Sequence, residues 1–197
     1  NNDEVIFAAT DRLELHTQSN EVIDFKWHLD NGAIRGLFQD SQQGLWLYST
    51  KGLFSIDVEQ QQIHPIKDKV FYIDSMVEDA NGLLWMGSRS GLISWNVDTN
   101  ETINYQAELK QHAKIDYIHA LAIDHNQLIW IGGSGDGLAL AASEPDFLID
   151  TFSQSAPYRL NNEMIWAIHQ HGDQLWVGTD GGLEAIDTIN KSSQVII

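Results

Sequence analysis

One phrase is written four times in this chain, and it limits the fold more than any other property. In the copy running from Asp79 to Leu92, an Asp is followed six residues later by Trp85, then by Gly87, then by the pair Gly91-Leu92. Asp40, Trp46 and Gly52-Leu53 repeat the spacing, as do Asp124, Trp130 and Gly137-Leu138 after one residue inserted near Gly135. Gln170, Trp176 and Gly182-Leu183 repeat it with Gln in the Asp place. A fainter copy lies at the N-terminus, where Ile6 takes the Trp place and Leu13 the Leu place. The anchors at 6, 46, 85, 130 and 176 are 40, 39, 45 and 46 residues apart. A period of that length describes an array of supersecondary units, each burying its apolar face only against its neighbours.

Inside each unit the apolar residues recur near every second position, with breaks at clusters of Gly, Asn, Asp or Gln, which is the pattern of strands and turns. The best copy reads as strands Ile73–Glu78, Leu83–Ser88, Leu92–Asn96 and Thr102–Gln106, and the other copies repeat this reading. Four antiparallel strands per unit, repeated radially, build the blades of a β-propeller. The predicted fold is therefore all-β: a partial N-terminal blade (1–30) and four full blades at about 31–68, 69–112, 113–158 and 159–197. So few blades would leave terminal sheet faces uncovered, which implies a fragment of a larger propeller or pairing with a second copy, with closure of five blades on themselves as the alternative.

The repeated residues have structural work to do. Trp46, Trp85, Trp130 and Trp176 are plates to fill the widening wedge between blades. Gly87, Gly132 and Gly178 leave room for the neighbouring blade. The Gly at 52, 91, 137 and 182 allows positive φ in a turn. Asp40, Asp79 and Asp124 are placed to accept backbone N–H groups of the turn that follows them.

Ile118 to Gly132, and Met164 to Leu183, resemble the two-component regulator propeller repeat, which reads loosely I-x-x-I-x-x-D-x-x-G-x-L-W-I-G-T-x-x-G-L. The resemblance covers 34–187 in four copies, departing at Tyr48 (for Gly), at Gln170 (for Asp) and near Gly135. It implies the periplasmic ligand-sensing region of a bacterial membrane receptor. The output domain, a histidine kinase, hybrid kinase or diguanylate cyclase, would lie outside this chain.

Composition narrows the partners. With 28 Asp and Glu against 11 Lys and Arg, the net charge is −17, a field that repels nucleic acid and anionic membrane. There is no Cys for a disulfide, thiolate metal site or nucleophile. No apolar run is long enough to span a membrane. No nucleophile elbow or zinc-protease motif is written, so the chain is read as non-enzymatic, with no cofactor. His169-Gln170-His171 with Asp173 is the densest metal-like cluster, but no other copy keeps a His pair, and no metal is assigned. Gly132–Gly137 lacks the Lys-Ser/Thr of a phosphate loop and reads as a lengthened hairpin.

The repeat is most informative where it stops repeating. Eleven residues before the Trp place stand Arg35, Asp74, His119 and Ile165; ten before stand Gly36, Ser75, Ala120 and Trp166. These positions open the innermost strand, beside the channel. Just upstream lie Tyr72, Tyr117 and Glu163. Arg35, Tyr72, Asp74, Tyr117, His119, Glu163 and Trp166 are the candidate ligand residues, aromatic and polar as a small-molecule site requires. A sugar or oligosaccharide fragment would suit them. A protein-interaction scaffold and a carbohydrate-active lyase are the alternatives.

Overall fold

The computed structural model describes residues 5–9, 11–16, 21–66, 72–135, 137–142, 148–152, 160–190 and 192–196. It is all-β, with one antiparallel sheet per repeat, and every sheet runs in chain order from its inner strand outward. The first has three strands, β1 (Val5–Ala9), β2 (Arg12–His16) and β3 (Val22–Phe25). The second holds β4 (Ile34–Gln39), β5 (Leu45–Ser49), β6 (Gly52–Asp57) and β7 (Gln62–Pro65). The third holds β8 (Ile73–Glu78), β9 (Leu84–Ser88), β10 (Gly91–Trp95) and β11 (Thr102–Asn104). The fourth holds β12 (Ile118–Ile123), β13 (Ile129–Gly133), β14 (Leu138–Ala141) and β15 (Leu148–Phe152). The fifth holds β16 (Ile165–His171), β17 (Gln174–Thr179), β18 (Gly182–Asp187) and β19 (Ser192–Val195). These are four complete propeller blades and a three-stranded one. The chain divides into two compact units, Asn1–Asp74 and Ser75–Ile197, with the division inside β8.

In the first unit the core joins the first two sheets: Leu13, Leu15 and Phe25 pack with Ile34, Leu47, Phe54 and Ile56. In the second unit Trp85 packs with Ile118, Leu121 and Ile131 of the next sheet, and Trp130 packs with Ile165, Val177 and Ile186. Trp46, Trp85 and Trp130 are buried, whereas Trp176 is only partly so. The glycine two residues after the Trp explains the close approach. A Cβ on Gly87 would stand 2.6 Å from Ile118 Cγ2, and one on Gly132 would stand 2.5 Å from Ile165 Cγ2. Gly178 departs from this: its Cβ would meet nothing nearer than Ala167, 3.6 Å away in its own sheet. The turn glycines do adopt positive φ, for example +95° at Gly91.

The repeated Asp has two tasks, of which the sequence disclosed one. Asp79 Oδ1 accepts the N–H groups of Asn81 (2.9 Å) and Leu83 (3.1 Å), closing the turn as expected. Its Oδ2 accepts the indole N–H of Trp85 at 3.0 Å. Asp40 does the same for Trp46 at 2.9 Å, and Asp124 for Trp130 at 3.1 Å. The six-residue spacing thus places a carboxylate under each of these three indoles and satisfies its one polar atom.

Two expectations are corrected. The outer strand of the third sheet is Thr102–Asn104, not Thr102–Gln106, because the chain turns into a helix, α1 (Gln106–His112). Ala107, Glu108, Leu109 and Lys110 favour helix, and Leu109 is buried beside Ile115 and Trp85. In the fifth sheet, strand pairing continues through His171↔Gln174, leaving only Gly172-Asp173 as the loop. The Gln170 turn is therefore one residue shorter than the Asp turns. Trp176 faces His169, seven residues back, where Trp130 faces Ala122 and Trp46 faces Phe38, each eight back.

Candidate functional site

That one-residue difference changes which residues correspond. Each inner strand begins with a buried Ile: Ile34, Ile73, Ile118 and Ile165. The pairing register then slips by one residue between Ile34 and Gly36, between Ile118 and Ala120, and between Ile165 and Ala167. The skipped residues are Arg35, His119 and Trp166, and Asp74 holds the same place after Ile73. Counting back from the Trp had set Ile165 beside His119. The structure sets Trp166 there instead. A bulge leaves its extra residue out of the ladder and re-aims the side chain, so the copy-specific position of every full blade is a bulge position or its sequence equivalent.

Two clusters result, one in each unit. In the first, Arg35 Nε and Nη2 both reach Asp74 Oδ1 at 2.6 Å, and the guanidinium lies 5.8 Å from the centre of the Tyr72 ring. The Asp74 side chain is 2% exposed against 42% for that of Arg35, so the carboxylate is sealed beneath its partner. Tyr48, the residue replacing the repeat's glycine, completes this cluster. Burial raises its hydroxyl pKa, the Asp74 charge raises it further, and Arg35 partly offsets both. Tyr48 fits because Gly36 is its cross-strand partner, and a Cβ there would collide with the phenol.

In the second unit the side chains form a ladder. The rings of Tyr117 and His119 are centred 4.2 Å apart, and those of His119 and Trp166 4.6 Å apart, tilted by 42° and 38°. Arg89 lies over Tyr117, its guanidinium carbon 5.0 Å from the ring centre. At the other end Trp166 donates its indole N–H to Asp180 Oδ1 at 2.6 Å, yet 52% of Trp166 stays exposed. The ladder thus runs from a cation across three rings to a carboxylate.

The backbone holds this arrangement. Ser134 and Asp180 donate their N–H groups to the carbonyls of Tyr117 (3.0 Å) and Met164 (3.3 Å), the residues just before the inner strands. Asn162 Oδ1 accepts the N–H of Met164 at 2.8 Å, and buried Glu184 grips the Asn161 amide with both oxygens at 2.9 and 3.0 Å. Glu163 enters this scaffold through its carbonyl, which accepts from Gly135 and Gly137 at 3.1 and 3.0 Å. The glycine-rich stretch is thereby tied to the start of β16; Asp136 lies outside the described residues. His169 and His171 are exposed on β16, and no group of three or more His, Cys, Asp or Glu suited to a metal occurs among the described residues.

Of the candidates, Arg35, Tyr72 and Asp74 meet in one cluster and Tyr117, His119 and Trp166 in the other. Arg89 and Asp180 were missed. Both stand four residues past the Trp place, where the other copies carry Thr50 and Ser134. That column is as copy-specific as the bulge column, and this was the available signal.

Comparison with known proteins gives a likeness of fold. The extracellular domain of BT4673 from B. thetaiotaomicron, named a one-component system in one structure and a hybrid two-component system in another, superposes with a TM-score of 0.74 at 19% identity over 93% of this chain. The corresponding domain of the hybrid two-component system BT3049 gives 0.69 at 16% over 97%. Virginiamycin B lyase from Staphylococcus aureus gives 0.72 at 12%, with 98% of this chain and 66% of the lyase covered. This chain spans 26% and 28% of the two B. thetaiotaomicron domains, about a quarter of their length. No protein-family model and no curated protein sequence matches it. Among the described residues no helix is long and apolar enough to cross a membrane.

Proposed function

We propose that this chain is part of an extracytoplasmic sensor of a bacterial two-component or cyclic-dinucleotide receptor, and that it binds a small molecule at its bulge residues. The observation that carries the reading is the coincidence of three independent features at one place. The repeat varies there, the bulge turns those side chains out of the ladder, and in the second unit the turned-out side chains, His119 and Trp166, are rings that keep part of their surface exposed. A fold indifferent to ligands would have no use for a half-exposed Trp whose N–H is already fixed by a carboxylate. Such a ring is a pre-oriented stacking platform, and pre-orientation lowers the ordering cost of binding. The likeness to receptor extracellular domains supports the sensing role. An oligosaccharide fragment, which stacks its ring face and hydrogen-bonds through its hydroxyls, is the first ligand class to screen. The chain itself is read as non-catalytic, the output activity being assigned to a module beyond it.

Sensing further requires two arrangements of different ligand affinity, passed to an output module beyond this chain. The test is a thermal-shift and calorimetric screen against neutral and acidic oligosaccharides, with Trp166→Ala and His119→Ala as controls. A ligand of this site should lose about tenfold or more in affinity with Trp166→Ala, while the unfolding midpoint, set by buried residues, stays nearly unchanged. Binding untouched by both substitutions would remove the site. A protein partner captured with no small-molecule response would favour an interaction scaffold, and a new double-bond absorbance from uronate polymers would favour a lyase.

A further inference from the structure

Resting on that reading, we infer that the ladder in the second unit selects ligands carrying an organic ammonium group, which settles on the free face of Trp166. One face of this indole is covered by His119 at 4.6 Å, and the half-exposed ring offers solvent the other. Its N–H donates to Asp180 at 2.6 Å, so the edge that would hydrogen-bond a neutral polar ligand is already taken. What remains is the π face, negative in its quadrupole, and indole is the strongest of the side-chain rings in holding a cation. The Asp180 carboxylate at the edge of the same ring adds a full negative charge 2.6 Å from the indole nitrogen. The net charge of −17 draws cations toward the surface and repels anions. A neutral sugar would use the platform without using either charge.

Asp180 also belongs to a tight turn. Thr179 Oγ1 accepts the N–H of Gly181 at 3.0 Å and donates to the Gly182 carbonyl at 3.1 Å. The carboxylate is therefore held beside the ring by the hairpin, and the site is assembled before any ligand arrives. Arg89, at the Tyr117 end of the ladder, orients the ligand by repulsion, so its ammonium points to Trp166.

The experiment follows the indole N–H resonance of Trp166, assigned by its disappearance in Trp166→Phe, during titration with choline, with its uncharged carbon isostere dimethylbutanol, and with the neutral oligosaccharides of the screen above. The expected result is a saturable shift with choline, about three- to tenfold tighter than with the isostere, and weakened by salt. Asp180→Asn, which keeps an oxygen acceptor for the indole and removes the charge, should abolish most of that preference. Equal binding of choline and isostere, or a shift with neutral oligosaccharides alone, overturns the ammonium assignment and leaves the ligand site standing. No shift with any probe overturns both.

Discussion

The turn at Asp124 and the turn at Gln170 hold the same place in successive blades and are built on different plans. At Asp124 one carboxylate gathers three donors: Asn126 and Leu128 through their backbone N–H groups at 2.8 and 3.0 Å, and the Trp130 indole at 3.1 Å. The turn needs a residue in the left-handed region, supplied by Gln127 at φ +62°. At Gln170 the side chain reaches no indole: its amide nitrogen donates to the Gly172 carbonyl at 2.7 Å and meets His125 Nδ1 of the preceding blade's turn at 3.3 Å, and the strands run on to a two-residue connection. Trp130 is buried, and Trp176 is not fully so. The difference teaches that the Asp is a tether between turn and blade face. Where it is lost the turn shortens by one residue, the tryptophan moves by one register step, and Trp166 comes to stand at the bulge.

The sharpest way to break this comparison is to remove both side chains. Asp124→Ala leaves the buried Trp130 N–H and two turn amides without their acceptor, and should cost about 2–4 kcal/mol. Gln170→Ala removes a half-exposed amide that water can replace at its two partners, and should cost less than about 1 kcal/mol. Urea unfolding followed by tryptophan fluorescence compares the two directly. Similar midpoints for both variants would mean the tether contributes nothing beyond the turn.

How far the sequence discloses this depends on whether a feature repeats. Spacing alone gave the strands, because Trp85, Gly87 and Gly91 recur in register with their counterparts and each has a steric reason to do so. The indole–carboxylate bond was hidden, since a separation of six residues along the chain becomes contact only once the hairpin is folded. Trp166 was named as a site residue but paired with Ala120 rather than with His119, because counting from Trp176 assumes equal turns. Helix α1 was missed for a related reason: seven residues present in one repeat only have no counterpart to reveal them, and two turns of helix show little periodicity. Arg89 and Asp180 sat in turns read for their glycines, so their variation from copy to copy went unweighed.

A second test sharpens the contrast between the faces of these blades. Gly132→Ala would drive a methyl against Ile165, with Ile168 Cδ1 also only 3.1 Å from the new carbon, and should cost about 1–3 kcal/mol as an overpacked core does. Gly178→Ala meets only ordinary contact, and by restricting the unfolded chain should be neutral or stabilising by up to about 1 kcal/mol. Equal losses for the two would show that the glycines serve the strands themselves and not the packing of one blade on the next.

The smallest effect concerns the blade that dispenses with the glycine. Tyr48 stands where Gly132 and Gly178 stand in their sheets, and room is made across the strand, where Gly36 replaces Ala120 and Ala167. Burial first, and the Asp74 charge second, raise its pKa above the ordinary 10.0. Because the folded value is the higher one, the folded chain keeps a proton that the unfolded chain releases, and stability falls as pH rises from about 10 through the folded value. Below that window Tyr48 contributes no pH dependence. Tyr48→Phe should therefore flatten part of the alkaline decline in urea midpoint, while at neutral pH it changes the midpoint only slightly, since the ring that fills the space over Gly36 is retained. An alkaline slope identical in the two proteins would mean that the phenol reaches water and that Asp74 does not act on it, which would dissolve the first-unit cluster into a plain ion pair.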